Sequence, residues 1–278
     1  MTGRLAGKVI CVTGAGRGQG RAHAVRMAEE GADIIAIDIC EHIDTVMYDM
    51  ATIEDLEETA RQVEKLDRRI SFAKADIRDL EGLTSAIDRG VADLGRLDVL
   101  VANAGIFAGA ASALEVTDAQ WDDTIATNLK GTWNTIRAGV PHIVAGGRGG
   151  SVILTSSNVA LKGMPNIIHY SASKYGVIGL MRTLAVELAS QNIRVNTIHP
   201  TSIDTPMAKN LYTYKMFRPD IVEPTLDDVK GVYQDLNLLP IDFIDPDYIA
   251  YAGVYLASDE SRYVTGVAFP MDAGSSIK

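Results

Sequence analysis

Three side chains of the types that could transfer a proton stand near one another in the chain. Tyr170 and Lys174 lie four residues apart at the start of an apolar pattern with helical spacing, so both would project from one face of a helix. A phenol with an ordinary pKa of about 10 is a poor base at neutral pH, but an adjacent ammonium group would favour the phenolate. Ser157 follows a strand-like run over 151–155 and could hydrogen-bond a substrate oxygen. These residue types predict proton transfer to or from a substrate oxygen, although with ten tyrosines in the chain one such Tyr-Lys spacing could also arise by chance.

A glycine-rich segment follows the first apolar run of the chain. Residues 8–13 are mostly β-branched and apolar, a helical pattern begins near Ala24, and between them stand Gly14, Ala15, Gly16, Arg17, Gly18, Gln19 and Gly20. Glycines let the backbone approach a pyrophosphate closely, and the free N–H groups at the start of a helix favour an anion. A plain glycine-rich turn is the alternative, but the position between strand and helix favours nucleotide binding.

An aspartate ends the second apolar run. Asp38 follows Gly20 by 18 residues, close to the offset of about 20 at which an acidic side chain binds the ribose hydroxyls of a dinucleotide. Its charge would repel the extra phosphate of NADP, and neither residue 39 nor residue 40 is Arg or Lys. The residue types therefore favour NAD, although an aspartate that merely starts a loop is common.

These residues need a scaffold, and the hydrophobic pattern predicts one. Helical patterns alternate along the chain with continuous apolar runs, which are expected to be strands at 8–13, 33–38, 70–75, 97–102, 151–155, 194–198 and 267–270. Such an alternation is typical of a parallel sheet covered on both faces. We expect a single doubly wound Rossmann-type α/β domain over residues 1–278, with seven strands and ligands at the carboxyl ends of the strands.

Two segments are too long for ordinary connections of this fold. Residues 41–53 form an insert after the second strand, and residues 204–244 would cover the site as a substrate lid. The lid carries large apolar residues that could line a pocket for a hydrophobic alcohol or ketone, or be core residues of small helices: Met207, Leu211, Tyr214, Met216 and Phe217. Position adds three pocket candidates, Ile106, Phe107 and Asn158.

Composition excludes several classes of function. The net charge of −10 disfavours nucleic-acid binding, which depends on clustered Lys and Arg. No apolar run approaches the roughly 18 residues of a membrane span, and residues 1–8 do not resemble a signal peptide, so we expect a cytoplasmic protein. The five histidines show no ligand spacing, and neither cysteine belongs to a Cys-x-x-Cys pair; we therefore expect no metal.

The complete set of motifs resembles the short-chain dehydrogenase/reductase family over about residues 5–274. The family has five motifs, and all of them occur here in the family's order. They are a Thr-Gly-x-x-x-Gly-x-Gly turn at 13–20, Asn-Ala-Gly at Asn103-Ala104-Gly105, an Asn at Asn128, a Ser at Ser157 and Tyr-x-x-x-Lys at Tyr170 to Lys174. The resemblance implies that Tyr170 is the general acid/base and that Ser157 orients the substrate oxygen. It implies that Lys174 holds the nicotinamide ribose and lowers the phenol pKa, and that Asn128 anchors a water that relays the proton.

The same resemblance implies which residues line the cofactor. Asp76 and Ile77 would flank the adenine, and Pro200, Ile203 and Thr205 would cover the nicotinamide carboxamide. The remaining implied cofactor residues are Gly14, Arg17, Gly18, Gln19, Gly20, Asp38, Asn103, Ala104, Gly105, Thr155, Tyr170, Lys174 and Met207. The chain departs from the family where Pro-Gly commonly follows the sixth strand, because here the residues are His199, Pro200 and Thr201.

Loop residues over 38–40, 43–52 and 196–206 are similar to the carveol-dehydrogenase-like, mycofactocin-coupled branch of that family. The branch implies tightly held NAD, a cyclic terpenoid alcohol such as carveol, and a peptide-derived redox partner. The family implies a homotetramer built on the helices around Trp121 and Tyr170 and on the last strand. The leading hypothesis is thus an NAD-dependent oxidoreductase; a catalytically silent NAD-sensing or scaffold protein is the alternative, and an epimerase or dehydratase would need a larger substrate domain.

Overall fold

Seven parallel strands form one sheet in the computed structural model, which describes residues 3–278. The sheet has the order β3-β2-β1-β4-β5-β6-β7, and each neighbouring pair is parallel. The strands are β1 (Val9–Thr13), β2 (Asp33–Asp38), β3 (Ile70–Lys74), β4 (Val99–Ala102), β5 (Gly150–Thr155), β6 (Ile193–Pro200) and β7 (Ala268–Met271). This confirms the predicted doubly wound sheet. The strand order reverses between β1 and β4, so the fold opens a crevice at the carboxyl ends of these two strands.

Helices cover both faces of the sheet. The α-helices of the described residues are α1 (Gly18–Glu29), α2 (Ile53–Glu64), α3 (Leu80–Leu94), α4 (Asp118–Thr124), α5 (Thr132–Gly146), α6 (Ile168–Leu188), α7 (Leu211–Phe217), α8 (Leu226–Asp235) and α9 (Pro246–Ala257). One apolar layer joins α3, α5 and α6 to the sheet, and the opposite layer joins α1, α2 and α9 to it. Within residues 3–278 no helix combines the length and the apolar character that a membrane crossing requires.

Three long segments depart from the simple alternation of strands and helices. The single helical pattern predicted over 118–144 is interrupted, because a π-helical stretch, Ile125–Gly131, separates α4 from α5. Apolar spacing reports which face is buried, but it does not reveal the extra residue of a wider turn. The predicted lid contains α7 and α8, and a bridge between Ile203 and Ile244 ties its two ends together. The insert after β2 has no regular secondary structure over residues 41–52.

A buried histidine lies between two of the helices. His23 on α1 is fully buried, and within residues 3–278 neither ring nitrogen has a hydrogen-bond partner. It packs against Gly253 of α9, where an added Cβ would lie 2.5 Å from His23 Nδ1. Burial lowers the pKa of His23 from 6.5 to about 4. The folded state therefore accepts the neutral ring and disfavours the imidazolium.

This histidine should make the fold sensitive to mild acid. The folded-state pKa is below that of the unfolded chain, so the unfolded state takes up more protons as the pH falls, and stability decreases below pH 6.5 towards pH 4. We expect the free energy of unfolding to decrease by about 2 kcal/mol between pH 7 and pH 5 through this group. Urea unfolding of His23→Met should show that much less pH dependence, while the exposed control His42→Gln should behave like the unaltered protein. Parallel pH curves for His23→Met and the unaltered protein would contradict the assignment.

Candidate active site

Two adjoining cavities lie at the carboxyl ends of the strands. The first extends from the glycine turn after β1 past Asp38 to the end of β4, and the second extends from Thr155 past the start of α6 to the lid. Both are lined by Gln19, Asn103, Gly105, Thr205 and Met207. A ligand that fills the first cavity can therefore reach residues of the second.

The turn between β1 and α1 has room only for glycine at two positions. A Cβ on Gly20 would lie 2.6 Å from the carbonyl carbon of Gly14 and closer still to its oxygen. Gly14 has a φ of +67°, in the left-handed region, and a Cβ there would lie 2.9 Å from the Cα of Ala104. The turn is braced from behind, because Thr59 Oγ1 donates to the carbonyl of Ala15 at 2.8 Å. It therefore presents a close, fixed backbone surface to the first cavity.

The carboxylate of Asp38 lies on the wall of the first cavity. Asp38 is 7% exposed, and its Oδ2 accepts a hydrogen bond from the backbone N–H of Gly16 at 2.9 Å. Its Oδ1 accepts from the backbone N–H of Cys40 at 3.1 Å. These bonds hold the carboxylate beside the glycine turn, where a carboxylate can accept further hydrogen bonds from ribose hydroxyls.

The insert contributes one wall of the first cavity. Ile43 and Val46 are buried and pack against Ile106, which follows β4. Tyr48 Oη accepts a hydrogen bond from the backbone N–H of Phe107 at 3.3 Å. The insert therefore joins the β2 side of the crevice to the β4 side.

The proton-transfer candidates meet on the wall of the second cavity. Ser157, Tyr170 and Lys174 all line it. Burial raises the pKa of Tyr170 to about 12, and the neighbouring Ser157 hydroxyl acts in the opposite direction. Lys174 Nζ donates to the carbonyl of Thr155 at 2.9 Å and lies 5.6 Å from the centroid of the Tyr170 ring. Burial lowers the pKa of Lys174 to about 8.

These pKa values correct one expectation. The sequence predicted that the ammonium of Lys174 would lower the pKa of the phenol, but in this structure removal from water has the larger effect on Tyr170 and raises its pKa. The reason is that Lys174 is buried and Tyr170 is largely removed from water, and loss of water disfavours the charged form of each. The raised pKa favours the protonated phenol at neutral pH.

Asn128 lies behind the site and lines neither cavity. It is fully buried in the π-helical stretch. Its Oδ1 accepts from the backbone N–H of Ile106 at 2.8 Å, and its Nδ2 donates to the carbonyl of Ile106 at 2.9 Å and to Ser173 Oγ at 3.3 Å. Its side chain thus fixes the backbone that follows Gly105. The role of Asn128 in anchoring a water stays a prediction.

Every residue predicted to contact the cofactor lines one of the two cavities. Those on the first are Gly14, Arg17, Gly18, Gln19, Gly20, Asp38, Asp76, Ile77, Asn103, Ala104, Gly105, Thr205 and Met207. Those found on the second alone are Thr155, Tyr170, Lys174, Pro200 and Ile203. Within residues 3–278 no group of three or more His, Cys, Asp or Glu side chains is arranged to hold a metal ion.

Only some of the predicted substrate residues line the second cavity. Asn158 lines the second cavity, as do Phe107, Met216 and Phe217. Ile106 lines only the first cavity, and Leu211 lines neither and is 36% exposed. At 100° per residue Leu211 faces the side of α7 opposite Thr213, Met216 and Phe217, which line the cavity. The position of each residue around the helix therefore distinguishes the cavity-lining residues of the lid from Leu211, whereas apolar character alone does not.

His199 positions the backbone of Ser157, a role that the sequence motifs did not predict. β6 continues through Pro200, and His199 is fully buried on it. The carbonyl of Ser157 can only accept, so His199 Nδ1 donates to it at 2.8 Å, and Nε2 accepts from Thr197 Oγ1 at 2.7 Å. Burial lowers the pKa of His199, which keeps the ring neutral. The histidine thus supports the backbone of Ser157, a contact that sequence spacing cannot reveal.

Comparisons with known proteins agree with this geometry. Residues 8–215 match the family model described as short chain dehydrogenase. The chain is 46% identical over 275 residues to a (-)-trans-carveol dehydrogenase of Rhodococcus erythropolis, covering 99% of each chain. It is 54% identical to a carveol dehydrogenase of Mycobacterium avium solved in complex with NAD, with a TM-score of 0.98 and full coverage of both chains. A short chain dehydrogenase of Mycobacterium paratuberculosis bound to NAD is 46% identical, with a TM-score of 0.91 and coverage of 99% of this chain and 100% of that one. The chain belongs to the short-chain dehydrogenase family.

Proposed function

We propose that this protein is an NAD-dependent oxidoreductase that interconverts a hydrophobic secondary alcohol and its ketone. The observation that carries the proposal is the shared placement of Ser157, Tyr170 and Lys174 on a cavity that adjoins a glycine turn and a fixed carboxylate. The turn and Asp38 fit a dinucleotide, because the first offers a close backbone surface to phosphates and the second offers acceptors to ribose hydroxyls. When bound, NAD supplies the acceptor or donor of the hydride.

Each catalytic side chain has a separate task in this proposal. Tyr170 transfers the proton at the substrate oxygen: its hydroxyl donates during reduction of the ketone and is regenerated by accepting a proton during oxidation of the alcohol. Ser157 orients that oxygen by hydrogen bonding. Lys174, held at the Thr155 carbonyl, places a positive charge beside the phenol and favours the phenolate whenever it forms.

The substrate class follows from the wall of the second cavity and from the relatives. Apolar side chains cover much of the cavity, among them Met164, Ile167, Met216, Phe217 and Leu236. Two similar proteins carry the name carveol dehydrogenase. We therefore propose a cyclic secondary alcohol as the substrate, with a terpenoid such as carveol among the candidates.

One experiment tests the function as a whole. The purified protein is denatured, and the released nucleotides are identified by mass spectrometry; the intact protein is then offered cyclic secondary alcohols with an artificial electron acceptor. We expect NAD to be released and at least one alcohol to be oxidised. If the protein bound NAD but neither oxidised any alcohol nor reduced any ketone with NADH, the result would instead support a catalytically silent NAD-sensing or scaffold protein.

Cofactor choice should depend on the charge of Asp38. Asp38→Asn keeps an acceptor for the Gly16 N–H group but removes the charge that repels the additional phosphate of NADP. We expect the preference for NAD over NADP, measured as a ratio of dissociation constants, to fall by about tenfold or more. The exposed control Glu64→Gln at the end of α2 should leave this ratio unchanged. An unaltered ratio in Asp38→Asn would remove the electrostatic basis for the NAD preference.

We also propose that the insert slows the release of NAD. Ile43, Tyr48, Met50 and Ala51 line the first cavity, and Tyr48 is bonded to the backbone across the crevice. NAD that fills the cavity could leave only after this wall opens. Such retention agrees with electron transfer to a peptide-derived redox partner, because a cofactor that stays bound must be reoxidised in place.

Weakening the wall should speed cofactor release. In the double variant Ile43→Ser and Tyr48→Phe, the apolar contact with Ile106 and the hydrogen bond from Phe107 are both lost. We expect the dissociation rate of NAD, measured by exchange with a labelled cofactor, to rise by about tenfold or more, which corresponds to about 1.4 kcal/mol. The exposed control His42→Ala should leave the rate unchanged. The same rate in the double variant would show that the insert does not retain the cofactor.

A homotetramer is the assembly that we propose. Large apolar side chains are exposed on and beside the helices from α4 to α6, including Trp121, Trp133, Tyr175 and Val186, which are 40 to 79% exposed. Several large apolar side chains exposed on neighbouring helices are compatible with a subunit interface. Light scattering should give four times the mass of the chain, and a monomer at micromolar concentration would contradict the proposal.

A further inference from the structure

One corner of the second cavity is polar, and its side chains have no task in proton transfer or in cofactor binding. Lys162, which follows β5, and Ser275, near the end of the chain, both line the cavity there. We propose that Lys162 and Ser275 form a subsite for an anionic oxygen group of the carboxylate class on the substrate. The inference rests on the proposed function and narrows its substrate to a hydrophobic alcohol or ketone that also carries an acidic group.

The hydrogen bonds of the corner leave donors unused. Lys162 Nζ donates to the carbonyl oxygen of Ser275 and, at 3.0 Å, to Ser275 Oγ. Asn158 Nδ2 donates to the same hydroxyl oxygen at 3.0 Å. An ammonium group has three donors and a hydroxyl has one, and among residues 3–278 the Ser275 hydroxyl finds no acceptor for its own proton. One N–H of Lys162, which is partly exposed, is therefore free for a ligand, and the buried O–H of Ser275 beside it has no acceptor within these residues.

Lys162 also has no direct ion-pair partner among the described residues. No carboxylate oxygen in the described part of the chain comes within the salt-bridge distance of 4.0 Å from Lys162 Nζ. Asp272 favours the charged form of Lys162 from beyond ion-pair distance, and its oxygens are held by hydrogen bonds from the backbone N–H groups of Gly274 and Ser276 at 3.0 and 2.8 Å. Burial lowers the pKa of Lys162. A carboxylate of the substrate would give Lys162 the direct ion pair that it lacks and could accept from both donors.

The subsite lies close enough to the catalytic serine for one small ring to connect them. Asn158 stands between the two, because its Oδ1 accepts from Ser157 Oγ at 3.2 Å while its Nδ2 donates to Ser275. The adjacent wall of Met164, Ile167 and Phe217 is apolar. The cavity is therefore suited to a ligand with an apolar ring between an alcohol carbon and an anionic group.

A pair of matched alcohols tests this subsite. The probes are 4-hydroxycyclohexanecarboxylate and 4-methylcyclohexanol, offered to the NAD-loaded protein with an artificial electron acceptor. We expect kcat/KM to favour the hydroxy acid by about tenfold or more, mainly through KM, and this ratio to fall by about tenfold in Lys162→Met, which loses the charged hydrogen bond. Lys162→Arg should preserve the ratio because it keeps the charge, and the control Lys65→Met, at the end of α2, should preserve it as well. Equal ratios in the unaltered protein and in Lys162→Met would overturn the subsite.

A binding measurement separates the subsite from the catalytic proposal. Calorimetric titration of the NAD-loaded protein with cyclohexanecarboxylate should give a dissociation constant about tenfold lower for the unaltered protein than for Lys162→Met. Equal affinities would overturn the subsite whether or not the protein oxidises alcohols. A tenfold difference in affinity in a protein that oxidises no cyclic alcohol and reduces no ketone would support the subsite and contradict the proposed function.

Discussion

Tyr170→Phe should reduce turnover by about 100-fold or more while leaving NAD bound. The substitution removes only the hydroxyl that transfers the proton. The aromatic ring would keep its packing, because the edge-to-face contact with Phe107, at a centroid distance of 5.6 Å, does not involve the hydroxyl. The measurement is kcat with a cyclic alcohol found active for the unaltered protein, together with the NAD content of the purified variant.

A second tyrosine on the same helix provides the matched control. Tyr175 is 48% exposed on α6 and faces away from the cavity wall that carries Tyr170 and Lys174. Tyr175→Phe should therefore retain both kcat and NAD. If Tyr170→Phe retained full turnover, the phenol would not be the proton-transfer group, and the catalytic proposal would be wrong.

Gly20→Ala should weaken NAD binding by about 100-fold. The new methyl group would enter the carbonyl group of Gly14, which is backbone and cannot rotate away as a side chain could. Relief of such a clash typically costs about 1–3 kcal/mol, and here the backbone that must move is the proposed phosphate-binding surface. The dissociation constant of NAD, measured by calorimetry on cofactor-free protein, and the urea midpoint should both report the change.

The control is a helical glycine with free space around it. A Cβ on Gly179, in α6, would meet no atom within 4 Å. Because alanine favours a helix over glycine by about 1 kcal/mol, Gly179→Ala should keep NAD affinity and unfold at an equal or higher urea concentration. If Gly20→Ala bound NAD as well as Gly179→Ala does, the turn would not be the phosphate site.

The features that the sequence determined by itself are those encoded by neighbours in the chain. Continuous apolar runs predicted the seven parallel strands, since the five inner strands are buried on both faces and need apolar residues at successive positions. The glycines around Gly20 and the four-residue spacing of Tyr170 and Lys174 are local, so they could be interpreted without knowing how distant segments pack. The carboxyl ends of parallel strands share one edge, which is why the cofactor and catalytic candidates were expected together.

Only the tertiary structure decided which distant side chains meet. Ser275 hydrogen-bonds Asn158 across 117 residues, and His199 supports Ser157 across 42; neither pair has a spacing that periodicity could detect. The direction of the Tyr170 pKa shift could not be predicted from the motif either, because the sequence shows that Lys174 is present but not how far both groups are removed from water. Local patterns specify elements and their exposed faces, whereas hydrogen bonds and desolvation depend on how those elements pack against one another.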